Sequence, residues 1–247
     1  MTEILFDRKL LGLNRARFLN DFPQHNFLHI EVANRIAENV SFLNRKFENI
    51  LEIGARDDHL SKLVLAEHKA RYDFYEDSET LPFAAESFDL VLSNLNLHFI
   101  NEIPQFLLQV KNILKPDGVF IASFFGEENL RELAHVLYES ENEIYSGVSP
   151  RMPPTIDVKT AAALLQKAGF ADPISDFAKI EVEYENPQKF LKDLKFMGQG
   201  NILTKRSRRF MTKKFLNKIL ENYNKLYKTA DGGVIAGFEV ITVTGWK

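Results

Sequence analysis

The side chains with the clearest chemical potential cluster where an apolar run gives way to a turn. Ile50-Leu51-Glu52-Ile53 leads into Gly54-Ala55-Arg56-Asp57-Asp58, so one chain reversal carries a glycine, an arginine and three acids. Glu52 can hold a ligand through backbone and water, or it can cap the turn. Gly54 can admit a ligand to the backbone because it lacks a Cβ, or supply only the reversal. Arg56 offers a fork of donors for a carboxylate. Asp77, within Glu76-Asp77-Ser78-Glu79, is either a ligand contact or part of a solvated acidic loop. Asn94 and His98 stand four apart just after an apolar stretch, and on a helix they would share one face of a cleft. There a neutral imidazole can act as a base or position a carbonyl, although hydrogen bonding to a neighbouring loop is the plainer role.

Other chemistries are excluded or disfavoured. Zero cysteines remove disulfides, thiolate metal sites and cysteine nucleophiles. His25 and His29 have the spacing of a metal pair, but Asn26-Phe27-Leu28 between them lacks the metalloprotease glutamate and no third ligand is evident, so no metal site is expected. Neither a Gly-x-Ser-x-Gly elbow nor a phosphate loop is present. Arg151, among prolines, suits a carboxylate or acidic partner surface, or a salt bridge that fixes its own loop. Asn201 to Lys228 holds nine basic residues and one acid, Glu221, which reads as a solvated face or a docking surface for an acidic protein. Nucleic acid is not an expected partner, because net charge is −3 and no stacking aromatics interleave at the right density. No run approaches the roughly 18 to 20 apolar residues of a membrane span, and no export signal is visible, so the expected location is the cytoplasm.

These side chains need a scaffold. Val32, Ile36, Val40 and Leu43 follow a helical period, Asn44 to Asn49 is a polar break, and Leu60, Leu63, Val64 and Ala66 resume a helical stripe. Strands are expected at Ile50–Ile53, Ala70–Tyr75, Phe88–Ser93 and Val119–Phe125, with a helix opening at Pro104 and stopped by Lys115-Pro116-Asp117-Gly118. Alternating strands and helices imply parallel pairing with right-handed crossovers, a doubly wound α/β sheet. A helix follows through Leu130, Leu133 and Leu137, and Asp157 can cap another over Val158–Ala168 that Gly169 ends. Lys179–Tyr184 and Val234–Gly245 alternate like strands of an antiparallel edge. Between them, Pro187–Met197 and Arg208–Tyr227 have helical patterns, expected as a cap over the ligand edge. The expected division is an N-terminal arm and helix over 1–49, a core over 50–184, a helical insertion over 185–230 and a final core strand over 231–247.

Three stretches together resemble the class I S-adenosylmethionine-dependent methyltransferases: Leu51-Glu52-Ile53-Gly54, Leu81-Pro82-Phe83 through Ser87-Phe88-Asp89-Leu90-Val91 to Leu97-His98, and Leu114-Lys115-Pro116-Asp117-Gly118-Val119-Phe120. Phe6-Asp7-Arg8, Ser146-Gly147-Val148-Ser149-Pro150-Arg151, Leu194-Lys195-Phe196-Met197-Gly198 with Asn201, Asp231-Gly232 and Thr244-Gly245-Trp246-Lys247 narrow the likeness. They are similar to bacterial relatives of the mitochondrial complex I assembly factor with arginine hydroxylase activity, itself similar to the malonyl-carrier-protein methyltransferase of biotin synthesis. The resemblance implies a Rossmann-like, mostly parallel sheet. It also implies S-adenosylmethionine held by Glu52, Gly54 and Asp77, with His98 near the reacting end; Arg56, as a bridge to the cofactor carboxylate, and Asn94, from its place in the cleft, are further candidate contacts. A respiratory complex subunit or a small-molecule substrate would be the partner.

Two features depart from that pattern. The family's turn reads acid-x-Gly-x-Gly-x-Gly, and here Arg56 and Asp58 replace two of the glycines. A side chain forced into a left-handed conformation costs about 1–2 kcal/mol, and Asp58 facing a cofactor carboxylate would add like-charge repulsion. Only 23 positions separate Gly54 from Asp77, enough for one helix and one strand, so the sheet is expected to be one strand short. The expected function is therefore a methyltransferase-fold protein of the assembly-factor type with an eroded cofactor turn that need not support catalysis. The alternatives are an active methyltransferase on a small carboxylate or carrier-bound acyl group, and a protein arginine hydroxylase.

Overall fold

The apolar run before Gly54 forms β1 (Phe47–Ile53), the second strand of a six-stranded sheet with order β2-β1-β3-β4-β6-β5. The computed structural model describes residues 4–74 and 79–247. β2 (Ala66–Tyr72), β3 (Phe88–Ser93) and β4 (Leu114–Phe125) run parallel to β1 or to one another. β6 (Val234–Trp246) lies antiparallel to β4, and β5 (Ala171–Tyr184) forms the far edge. This is the mixed α/β, Rossmann-like arrangement the sequence implied. Among the described residues no strand lies beyond β2, in keeping with the short interval after Gly54.

The chain separates into two compact units, and β5 and β6 contribute to both. One comprises Asn26–Gly126, Thr155–Ala178 and Val240–Lys247. Its strands β1, β3 and β4 are almost wholly buried, as parallel strands covered on both faces must be. Helix α4 (Ile103–Ile113) lays Phe106, Leu107, Val110 and Ile113 into that core beside Phe120, Phe124 and Ile241. Helix α2 (Phe27–Phe42) buries Leu28, Val32 and Ile36, while α3 (His59–Leu63) is a short crossover. α6 (Val158–Lys167) begins at Asp157, whose carboxylate accepts from Thr160 N at 2.7 Å. It ends at Gly169 with φ of 83°, as the capping residues indicated.

The other unit gathers the chain up to His25 with Glu127–Pro154 and Lys179–Glu239. It contains α1 (Arg8–Arg17), α5 (Arg131–Tyr145), α7 (Pro187–Phe196) and α8 (Lys213–Leu226). Phe190, Phe215, Ile219, Tyr223 and Phe238 are fully buried. An isolated bridge joins Phe6 to Leu203, and Asp7 N donates to Ile202 O at 2.8 Å.

Several boundaries differ from expectation. The polar stretch before Ile50 does not stay outside the sheet, because β1 starts at Phe47, which is itself buried. Lys115-Pro116-Asp117-Gly118 lies inside β4 as a bulge: Leu114 pairs with Phe88 and Val119 with Leu90, so β4 carries extra residues between the two pairings. β2 starts and ends earlier than its apolar pattern suggested. Its mostly exposed edge position needs no continuous apolar face.

Candidate functional site

Open α/β sheets bind ligands beyond the carboxyl ends of their strands. At that end of β1, Glu52 is 3% exposed. Its Oε2 is buried without a hydrogen-bond partner, a condition that costs free energy unless a ligand relieves it. Burial pushes the Glu52 carboxyl up to about 8, with Asp57 and to a lesser degree Asp58 adding to the shift, while Arg71 and the Ser61 backbone N–H oppose it. At neutral pH this acid therefore carries its proton. Arg71 sits opposite Glu52 in the β1–β2 register.

Gly54 has φ of 77° and donates its N–H to Tyr72 O at 2.8 Å, which ties the turn to the end of β2. A Cβ here would lie 2.2 Å from Asn96 Cγ. The expected strain of the non-glycine residues is absent, since none of residues 55–58 adopts positive φ. Nor do the acids crowd the bend. Asp57 accepts from His59 N at 3.0 Å and from Asn26 Nδ2 at 3.1 Å. Asp58 faces outward to Lys62 at 2.8 Å, a pairing that lowers its pKa. An open depression of about 490 Å³ is lined by Ala55, Arg56, Arg71, Tyr72 and Asp73.

Asn94 and His98 do not share a helical face. Leu95 takes φ of 48°, and the only helix in this stretch is a 3-10 turn over Leu97–Phe99. Asn94 Nδ2 donates to His29 O at 2.9 Å and its Oδ1 accepts from Ser123 Oγ at 3.4 Å, so its side chain joins β3 to α2 and β4. His98 is 6% exposed and packs against Phe99 and Phe125, with ring centroids 4.1 and 4.7 Å away. Asp77 lies outside the described residues. Its neighbour Glu79 accepts from the N–H groups of Asn101 at 2.7 Å and Glu102 at 3.0 Å, at the start of α4. Arg151 is bound within its own unit, at 2.8 Å to Glu141 and 4.8 Å from the Phe215 ring centroid. Among the described residues no group of three or more metal-ligating side chains occurs.

Two residues at the turn escaped the sequence reading. Asp73 immediately follows β2 and lines the depression; a strand drawn to Tyr75 hides it in the middle of an element. Asn96 is fully buried against Gly54. The alternation in Leu95-Asn96-Leu97 contains that signal, but only once the segment is known not to be helical.

Residues 37–122 match the family model described as a methyltransferase domain. The arginine-hydroxylase NDUFAF5, mitochondrial, of Mus musculus is 33% identical, across 98% of this chain and 77% of that protein. This chain belongs to the arginine-hydroxylase NDUFAF5 family. The malonyl-[acyl-carrier protein] O-methyltransferase of Gallionella capsiferriformans is 26% identical over the whole of this chain and 93% of its own length. The YcgJ protein of Bacillus subtilis shares the fold, with a TM-score of 0.57, 12% identity, and coverage of 88% of this chain and 98% of that one. This NDUFAF5-family protein places Ala55, Arg56, Arg71, Tyr72 and Asp73 around the depression beyond β1 and β2.

Proposed function

We propose that this chain is an assembly protein of the respiratory complex I type that keeps a working pocket for S-adenosylmethionine at the turn after β1. The buried, unpartnered Oε2 of Glu52 carries this reading. A neutral carboxyl there is a hydrogen-bond donor, and it becomes a counter-charge once a cationic group approaches. Gly54 lets the buried Asn96 side chain pack against the turn, Arg56 and Arg71 supply guanidinium groups for a carboxylate, and Asp73 supplies acceptors at the end of β2. These donors and acceptors fit a zwitterionic amino-acid tail and a ribose. When bound, S-adenosylmethionine supplies an electrophilic methyl group at its sulfonium. The chain's own contribution is position and the exclusion of water.

The family relationship supports a protein client, and arginine hydroxylation is the activity for which those relatives are named. A second reading, methyl transfer to a carrier-bound carboxylate, is supported by the full-length similarity to a malonyl-[acyl-carrier protein] O-methyltransferase. The absence of cysteine suits a reducing compartment such as the cytoplasm.

Titration calorimetry with S-adenosylmethionine and its demethylated product tests the pocket. The expected result is a Kd at or below roughly 100 μM, about −5.5 kcal/mol. No heat and no thermal shift at millimolar ligand would overturn the reading. Co-purification from cells tests the assembly role, which requires recovery of a respiratory subunit.

A further inference from the structure

The segment that leads into α8 combines two features that solvated charge runs do not need to share. Phe210 is 92% exposed and Met211 55% exposed, and both lie in an unbroken exposed stretch from Arg208 to Lys214. Arg208 and Arg209 precede the apolar pair, and Lys213 and Lys214 follow it. No acid occurs between Leu194 and Leu220, although the whole chain carries a net charge of −3. Arg208, Lys213 and Lys214 have no acidic partner among the described residues.

The stretch is also held in place. Arg206 pairs with Asp7 at 3.0 Å, and the Arg209 guanidinium lies 5.1 Å from the Tyr145 ring centroid. Thr212 caps α8, its hydroxyl accepting from Phe215 N at 3.2 Å. Phe215 then turns inward and is fully buried. The chain thus presents an exposed apolar pair, a phenylalanine and a methionine, with two cations on either side in the sequence.

We propose that Arg208–Lys214 is a docking site for an anionic lipid surface, with Phe210 and Met211 entering the headgroup boundary and the flanking cations meeting lipid phosphates. An acidic protein surface is the competing occupant, and binding that needs such a protein and is absent on anionic vesicles would overturn the lipid assignment. An anionic bilayer interface takes both parts at once, because apolar insertion and electrostatic attraction add there. No described helix is long and apolar enough to cross a membrane, and the attachment proposed is a peripheral one. The Phe210–Met211 tip makes no use of the Glu52 turn, and this inference stands independently of the proposed cofactor pocket.

Vesicle sedimentation of the full chain tests it, with vesicles of phosphatidylcholine alone and vesicles containing about one quarter phosphatidylglycerol, at about 100 mM salt, where the Debye length is about 10 Å. Binding to the anionic vesicles and not to the neutral ones is expected. The double substitution Phe210→Ser and Met211→Ser should weaken that binding at least about tenfold, the scale set by losing two inserted apolar side chains. Lys213→Glu with Lys214→Glu should abolish it. All four positions are exposed, so circular dichroism should show unchanged folding. Phe210→Trp adds a direct readout, with a blue-shifted emission and quenching by brominated lipid on the anionic vesicles. Failure to sediment with anionic vesicles overturns the proposal. So does binding that the double serine variant leaves unchanged, because the apolar tip then has no role.

Discussion

Gly54 and Asn96 interlock: the space where a Cβ would stand on Gly54 is occupied by the Asn96 side chain, 2.2 Å from its Cγ. The glycine also holds φ of 77°, so two separate constraints act at one position. Gly54→Ala should therefore destabilise the protein by more than the about 1–2 kcal/mol of left-handed strain alone, since Asn96 is buried and has little room to yield. A loss of roughly 5–10 °C in Tm is expected for a chain of this size, and an unchanged Tm would refute the interlock.

Glu52 makes stability depend on pH. In the unfolded chain its carboxyl ionises near the ordinary value of 4.5, whereas the folded protein holds the proton up to about 8. Between those values the folded state binds more protons, so rising pH favours unfolding, by order 1 kcal/mol per pH unit. Below pH 4.5 both states are protonated and the effect vanishes; above pH 8 the loss is complete. Denaturant titrations at pH 5, 6, 7 and 8 should show this decline, and Glu52→Gln should flatten it. A cationic ligand group beside Glu52 would lower its pKa. Binding of S-adenosylmethionine near pH 7 should accordingly release a proton, seen as a heat that changes with the ionisation enthalpy of the buffer.

Arg56 and Asp58 occupy the two former glycine positions, and the structure separates their effects. Asp58 is turned out to Lys62 at 2.8 Å, while Arg56 lines the depression. Asp58→Gly should change the Kd for S-adenosylmethionine by less than about threefold, within the range of an exposed charge. Arg56→Ala should weaken it about tenfold or more, the loss of a hydrogen bond to a charged group. Tighter binding by Asp58→Gly, or by Arg56→Gly, would show instead that the side chains obstruct the site, as the eroded motif suggested.

The sequence made the sheet legible because β1, β3 and β4 are buried on both faces, which leaves uninterrupted apolar runs such as Leu90-Val91-Leu92. Caps were equally plain where the chemistry is local, as at Asp157 and Gly169. The turn was less so. A glycine count cannot reveal that residues 55–58 follow a path without positive φ, or that Asp57 is engaged by Asn26 from a different element. Asn94 and His98 were misplaced for a related reason. Their spacing suits an α-helix, but Leu95 breaks it, and Asn94 is recruited by the His29 carbonyl. The exposed edge strand β2 hid Asp73, since a strand with little burial leaves no pattern to mark its end.

Glu141 shows why Arg151, which suits an external carboxylate, serves its own loop instead. It accepts from Ser149 N at 2.9 Å, Ser149 Oγ at 2.6 Å and Arg151 Nη2 at 2.8 Å. Burial acts to raise its pKa, yet the bonds to Arg151 and Ser149 outweigh that and hold the carboxyl below the usual range. Glu141→Ala would leave Ser149 and the Arg151 guanidinium short of their partner, at a cost of about 2–3 kcal/mol. Arg151→Ala should be nearly as damaging, because the Glu141 charge is then buried without its cation. The two losses should not add: a double-mutant cycle is expected to give a coupling above about 1 kcal/mol. The ionised form is the stabilising one, so the coupling should persist at neutral pH and fade as pH drops through the lowered pKa of Glu141. If Arg151 instead served an external carboxylate, its single substitution would leave Tm unchanged and the cycle would show no coupling.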